Sequence, residues 1–216
     1  MVKTWRQILC VMMFLSLASV LQAARIIDDF EDGNISANPA WWKFGRIIAD
    51  VVENTGKAPK GVKLGGKGMS LEGSTRDWYI GGLGTYLGVD GTAYANLELL
   101  VYGKGKNSGQ LKIELWDDDN KNWKAEQDEK KNYVPIHDDQ FATTLVVDWE
   151  GWKKVVIPFD DFSDENPGVG NDKWDPNQID GSGGLLQLSM VALGRGAKGE
   201  IKVIIDDMRF TGPGGK

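Results

Sequence analysis

The sequence of 216 residues has little of the side chains on which much site chemistry depends. It contains one cysteine, Cys10, and one histidine, His137. A disulfide framework and a zinc site built from cysteines and histidines are therefore excluded. His137 stands in a polar loop beside two aspartates, where a solvent-exposed role is the simpler interpretation. The net charge is −6 and the lysines are scattered, so the basic patch that nucleic-acid binding requires is also missing.

The sequence also lacks an apolar run long enough to span a bilayer. The longest run, residues 8–21, follows a positively charged start and ends at small residues. This is the pattern of a secretory signal peptide with cleavage after Ala23 or Ala24, and an uncleaved membrane anchor is the alternative. We expect residues 1–23 to be removed together with Cys10. The mature protein would then be secreted or periplasmic, with no membrane span.

Glycine and short β-branched runs dominate what is present. Twenty-eight glycines separate eight or more short apolar runs, and no convincing helix follows the signal. This distribution predicts an all-β fold, a two-sheet antiparallel β-sandwich of the jelly-roll type. We assign residues 24–210 to this domain and residues 211–216 to a flexible tail.

Two strands, residues 96–102 and 110–116, have the clearest alternation, and the glycine-containing loop 104–109 predicts that they pair as a hairpin. Alternation turns their aliphatic side chains inward and places Tyr102 and Trp116 on a polar outer face. Aromatic rings beside lysine, glutamate and glutamine suit the binding of a sugar. The alternative for Trp116 is that it packs beneath a loop at the strand end.

Two other aromatic features bear on function. Residues 163–184 form a long loop rich in Asp, Gly, Pro and Asn, and Trp174 within it is a further candidate for ligand contact. The cluster of residues 41–44 (WWKF) is either core covering or a sugar platform, and we favour the core because Phe44 and one tryptophan need burial.

Acidic residues are concentrated in two stretches. Residues 28–32 carry four carboxylates, which indicate either solvated rim charge or a calcium site, since a hard cation takes several carboxylate oxygens. Residues 117–129 place Asp118, Asn120, Asn122 and Glu129 at spacings that imitate an EF-hand loop. Trp123 replaces the required glycine and no amphipathic helices flank the loop, so an EF-hand is not expected.

Three segments together resemble a known group of proteins. They are residues 26–33 (IIDDFEDG), 152–162 (WKKVVIPFDDF) and 204–210 (IIDDMRF). Their order is similar to that of the galactose-binding-like jelly rolls, specifically family 11 carbohydrate-binding modules and the complex I intermediate-associated 30 kDa proteins. The resemblance spans nearly the whole mature chain.

The resemblance implies a structural calcium ion held by acidic residues of the first and last strands. Carried over, the ligands are Glu31 and the pair Asp206 and Asp207, with Asp29 as a further candidate. It also implies binding of a β-glucan-like polysaccharide on a sheet face. The contact residues Tyr102, Trp116 and Trp174 come from strand alternation and loop position instead.

Three functions remain open at this point. The first is a non-catalytic, exported carbohydrate-binding protein. The second is a structural or assembly protein of the cell envelope that binds protein or itself. The third is a glycosidase using two carboxylates, but the Glu-x-Asp-x-x-Glu pattern of jelly-roll glucanases is absent, so we expect no enzyme.

Overall fold

The computed structural model describes residues 24–131, 133–194 and 199–212 and arranges them as a sandwich of two large antiparallel sheets. The predicted signal peptide, residues 1–23, and residues 213–216 of the predicted tail lie outside this described part. Within it, no helix is both long and apolar enough to cross a membrane. The all-β, two-sheet prediction is confirmed.

The strands follow one another along the chain with three short 3-10 helices between them. The helices are Gly91–Ala93, Glu129–Lys131 and Phe159–Asp161. The strands are β1 Arg25–Asp28, β2 Trp42–Gly45, β3 Ile48–Glu53, β4 Lys67–Thr75, β5 Tyr79–Val89, β6 Asn96–Lys104, β7 Gly109–Asp117, β8 Gln127–Asp128, β9 Val134–Pro135, β10 Asp139–Val147, β11 Glu150–Pro158, β12 Ser163–Asp164, β13 Leu185–Leu193 and β14 Gly199–Thr211.

The first sheet has the order β11-β6-β14-β4-β3, with β1 also pairing to β14. The second sheet has the order β12-β10-β7-β13-β5-β2, and β8 and β9 form a small separate ribbon. The last strand therefore lies inside the first sheet. Thr211, which the sequence assigns to the tail, is the last residue of β14 and pairs with Asn96.

The core lies between the two sheets and follows from period-two alternation. In β6, Leu97, Leu99 and Val101 are buried, as the sequence predicts. In β7, Leu111, Ile113 and Leu115 face them from the other sheet and are fully buried. The core also contains other buried strand residues, among them Met69, Leu71, Leu83, Leu188, Met190, Ile201, Val203 and Ile205.

The prediction that residues 96–102 and 110–116 pair as a hairpin is wrong. β6 bonds to β11 and β14, whereas β7 bonds to β10 and β13 in the other sheet. The loop after β6 makes a turn in which Ser108 N–H donates to Gly105 O at 3.1 Å, and it carries the chain across the sandwich. Both strands have an apolar inner face, and these faces pack against each other across the core instead of lying side by side.

The segment between β12 and β13, residues 165–184, closes one end of the sandwich. Trp174 packs edge-on against Phe141, with ring centroids 5.1 Å apart, and lies 5.0 Å from Phe159. Phe159 begins the 3-10 helix that follows β11, so the segment 152–162 is a strand and then a turn, as predicted. We call residues 165–184 the rim loop.

Candidate functional site

The outward-pointing residues of the second sheet form a mixed aromatic and polar surface, here called the outer face. Trp42 pairs with Gly84 and Phe44 with Gly82, and Leu83 between these glycines points into the core. The strand register continues the outer face across β13, β7 and β10. Its other members, taken as rows across the sheet, are Ser189, Glu114 and Ala142; Val191, Lys112 and Thr144; and Tyr86, Gln187, Trp116 and Gln140.

Three aromatic rings gather at one end of the outer face, against two glycines. A Cβ atom at Gly84 would lie 2.5 Å from the Trp42 ring, and one at Gly82 would lie 2.5 Å from the Phe44 ring. Any larger residue would push these rings off the strand. Tyr86 is 66% exposed, and its ring centroid is 4.7 Å from that of Trp42. The glycines therefore allow a low aromatic platform on the sheet.

Charged and amide groups occupy the middle of the outer face. Lys112 Nζ lies 3.3 Å from Glu114 Oε1 and 3.0 Å from Glu165 Oε2. Burial raises the pKa of Glu114, while Lys112 and a hydrogen bond from Gln140 oppose that rise. β7 is three strands from β2, so this polar group lies roughly 14 Å from the aromatic platform. Hydroxyl-rich ligands could thus contact rings and charged groups at once.

The structure does not bring the three predicted aromatic contacts together. Tyr102 lies on the first sheet, where its ring packs edge-on at 5.4 Å from Trp152. Trp116 lies in the outer face but is only 2% exposed, and its Nε1 has no hydrogen-bond partner. Trp174 is half-buried in the rim loop against Phe141. Sugar contact at these three residues stays a prediction.

Sequence reasoning raised a sugar platform at residues 41–44 only as the alternative to core covering and did not include Tyr86. The interpretation of residues 41–44 as core covering fits Trp41, which is 5% exposed, but Trp42 and Phe44 project onto the outer face. The signal was the spacing of these two residues, because side chains two apart in a strand share a face. The glycines at alternate positions of β5 were the matching signal on the neighbouring strand.

The predicted metal ligands are brought together in part. Glu31 and Asp206 both lie against Gly65, where an added Cβ atom would be 2.3 Å from Glu31 Oε1 and 3.1 Å from Asp206 Oδ2. Asn54 Nδ2 donates to Asp206 Oδ2 at 2.8 Å and to the carbonyl of Lys67 at 2.8 Å, while Asn54 Oδ1 is buried without a partner. Burial raises the pKa of Asp206 to about 6.

The other two predicted ligands have different surroundings. Asp29 is exposed, and its Oδ1 accepts a hydrogen bond from the backbone N–H of Glu31 at 3.3 Å. Asp207 pairs with the guanidinium of Arg209. Of the pair Asp206 and Asp207, the structure therefore places Asp206 beside Glu31. The two strand ends meet because β1 pairs with β14.

A second group of carboxylates lies under the rim loop. One carboxylate oxygen from each of Asp139, Asp164 and Asp172 lies within 4.8 Å of the other two, so this triad could hold a metal ion. Burial raises the pKa of the neighbouring Asp119 and Asp138 to about 7 each. No local sequence pattern indicates this triad, because its members lie far apart in the chain.

The fold matches solved structures, although no family model and no curated protein matches the sequence. The family 11 carbohydrate-binding module of the cellulosomal cellulase Lic26A-Cel5E of Clostridium thermocellum is 16% identical, with a TM-score of 0.53. The match covers 88% of this chain and 95% of that module. The same values hold for the Clostridium thermocellum family 11 module in complex with a β-1,3-1,4-mixed-linked tetrasaccharide.

A further match is to part of a larger enzyme. An exo-β-agarase superposes with a TM-score of 0.55 at 14% identity, over 89% of this chain and 26% of that chain. At these identities the comparisons establish the fold. The chain is a β-sandwich jelly roll of the type found in family 11 carbohydrate-binding modules, and the resemblance inferred from its sequence is confirmed at that level.

Proposed function

We propose that the protein is an exported, non-catalytic carbohydrate-binding protein that holds a polysaccharide on the outer face of its second sheet. One observation carries this proposal: the Trp42, Phe44 and Tyr86 rings lie on the same face as Lys112 and Glu114. Sugar rings have apolar C–H faces that stack on aromatic rings, and their hydroxyls need donors and acceptors. The outer face offers both within one surface.

The ligand class that we propose is a β-glucan-like chain. The jelly-roll module of Clostridium thermocellum was solved with a mixed-linked β-1,3-1,4 tetrasaccharide. The outer face of this protein is an extended surface crossing several strands, which suits a chain better than a single sugar. The polar pair Lys112 and Glu114 would bond hydroxyls beyond the aromatic platform.

The test is a glycan array followed by calorimetry with the best ligand. We expect Trp42→Ala and Tyr86→Ala to weaken binding by about fivefold or more, because stacking of a ring contributes on the order of 1–3 kcal/mol. Tyr133→Ala, which removes an exposed ring outside both large sheets, is the matched control and should bind as the wild type does. Equal loss in all three variants, or no binding on the array, would contradict the proposal.

The second candidate is the structural or assembly function. It is favoured by apolar side chains exposed on the first sheet, namely Ile48 at 66% and Val156 at 47%. These lie on β3 and β11, the two edge strands of that sheet, where unpaired backbone groups can accept a further strand. Sedimentation across a range of concentrations distinguishes the two: assembly with silence on the array would replace the carbohydrate proposal.

We further propose a structural calcium ion beside Glu31 and Asp206. The residues fit such an ion, because the two carboxylates and the backbone carbonyls of Gly65 and Lys67 are oxygen ligands of the kind that calcium prefers, and Asn54 Nδ2 lies against both carbonyls. A bound ion would offset the repulsion between Glu31 and Asp206. It would also fasten β1 to β14.

Chelation tests the calcium proposal. Adding EGTA should lower the melting temperature of the wild type, since an ion that binds only the folded state stabilises it. Glu31→Gln should reduce this effect, and Asp29→Asn, which changes an exposed neighbour, should retain it. An EGTA effect that is the same in all three proteins would exclude Glu31 as a ligand.

A further inference from the structure

The carboxylates under the rim loop belong to three separate parts of the fold. Asp139 begins β10, Asp164 ends β12, and Asp172 belongs to the rim loop. Asp164 pairs with Phe141, which places it diagonally across from Asp139 on adjacent strands. The loop then brings Asp172 back to them, so that one oxygen of each lies within 4.8 Å of the others. This arrangement converges on a point.

Buried carboxylate oxygens without hydrogen-bond partners independently indicate that a cation belongs between these aspartates. Asp139 is 0% exposed, and its Oδ1 has no hydrogen-bond partner. Its Oδ2 accepts from the Lys173 backbone N–H at 3.1 Å. Next to it, Asp119 has one oxygen bonded to the Asp139 N–H at 2.8 Å and the other buried without a partner. Asp138, also 0% exposed, has neither oxygen bonded.

The rim loop lies directly over these oxygens. A Cβ atom at Gly170 would be 2.3 Å from Asp139 Oδ1 and 2.5 Å from Asp119 Oδ2, and Gly170 has a φ of +74°. Only glycine fits this position without a shift of the carboxylates. Within the described residues, no lysine or arginine forms an ion pair with Asp119, Asp138 or Asp139. Several buried carboxylates therefore face one another without a protein cation.

We propose that Asp139, Asp164 and Asp172, completed by Asp119, bind a calcium ion that fastens the rim loop to the second sheet. Clustered carboxylate oxygens at a partly buried position are the ligands of a hard cation, and a flexible loop ligand suits the larger and less geometrically strict calcium over magnesium. This rim site lies on β10, β12 and the rim loop, whereas the chain-end pair of Glu31 and Asp206 lies beside β1 and β14.

The rim site would couple to the outer face. Asp164 is followed directly by Glu165, whose Oε2 lies 3.0 Å from Lys112 Nζ. The same loop seats Trp174 on Phe141. A cation at the rim site would therefore order both the cover of the core and one end of the polar group on the outer face. This coupling rests on the proposed function, but cation binding itself does not.

The experiment is calcium binding to the purified, EGTA-washed protein, by calorimetry with CaCl2 and by native mass spectrometry to count bound ions. We expect Asp172→Asn to bind one calcium fewer than the wild type, or to bind it at least about tenfold more weakly. Asp172 is exposed and asparagine keeps its acceptor for the Gly168 N–H, so the variant should fold. Asp160→Asn, an exposed acid outside the rim site, is the matched control.

The outcomes separate the two cation proposals from each other and from sugar binding. Loss of one ion in Asp172→Asn supports the rim site whether or not Glu31→Gln also loses one, because Glu31 belongs to the chain-end pair. A calcium count unchanged in Asp172→Asn and Asp164→Asn alike overturns it. As a second readout, calcium should protect the rim loop of the wild type, but not of Asp172→Asn, from limited proteolysis. Neither readout requires a glycan.

Discussion

The buried hydrogen bond between Trp41 and Asp28 gives a prediction with a defined dependence on pH. Trp41 Nε1 donates to Asp28 Oδ2 at 2.7 Å inside the core, and the Phe30 N–H donates to Asp28 Oδ1 at 2.8 Å. Burial raises the pKa of Asp28 from 3.8 to about 6, and the bond from Trp41 opposes that rise. Trp41→Phe keeps an aromatic ring in the core and removes only the indole N–H that donates to Asp28.

The sign of the pH effect follows from linkage. Because the folded-state pKa of Asp28 is raised, its contribution to stability falls as pH rises from 3.8 to about 6 and is then constant. Without the hydrogen bond from Trp41, the folded-state pKa of Asp28 rises further. The contribution of Asp28 to stability therefore continues to fall above about pH 6. The cost of Trp41→Phe should therefore be small in acid, where Asp28 is protonated in the folded chain, and larger where the wild-type carboxyl is ionised.

Magnitudes follow from the type of bond lost. We expect a loss of about 1 kcal/mol in the free energy of unfolding at about pH 4.5, and about 2–3 kcal/mol at about pH 8, where the lost bond is to a charged acceptor. The assay is urea denaturation of protein that has been stripped with EGTA at neutral pH and exchanged into metal-free buffer, so that ions bound to nearby carboxylates do not contribute. Trp152→Phe is the matched control, because Trp152 Nε1 donates to the neutral carbonyl of Thr55 at 2.7 Å. Equal losses at both pH values for Trp41→Phe would refute the reasoning.

Three further predictions concern the platform, the rim loop and the chain start. Gly84→Ala should displace the Trp42 ring, reduce polysaccharide binding and lower the free energy of unfolding by about 1–3 kcal/mol, measured by calorimetry and urea denaturation. Trp174→Ala should cost about 2–4 kcal/mol in the same denaturation assay, because it removes a half-buried ring from Phe141 and Phe159. A loss below about 1 kcal/mol would show that the loop does not close the core. Intact-mass measurement of the protein from its natural host should find a chain that starts at residue 24 or 25, and a chain retaining Met1 would contradict cleavage.

Local pattern predicted the strands well because alternation is a property of each strand alone. Residues 96–102 and 110–116 are strands with the inner faces that the sequence predicts. Alternation does not say which strand lies alongside, because an apolar face can be buried equally well across a core. The predicted hairpin failed for that reason. Pairing in a sandwich depends on residues far apart in the chain.

The site was less predictable for a related reason. Trp116 was placed on the correct face, yet it is buried, because exposure at a strand end depends on loops that come from elsewhere in the sequence. Glu31 stood in an acidic stretch that itself suggested a calcium site, but its combination with Asp206 came only through resemblance, which implied that the first and last strands are neighbours. The oxygens of Asp139, Asp164 and Asp172 meet through a loop path that no local pattern encodes.

The inner position of β14 in the first sheet has a consequence for when the protein can fold. β14 lies between β6 and β4 and also pairs with β1, so the first sheet lacks its central strand until β14 is present. The core of the sandwich cannot be completed before β14 is present, and pairing over this range is slow because strands far apart in the chain must find each other. Loss of β14 alone should therefore leave a product that does not fold.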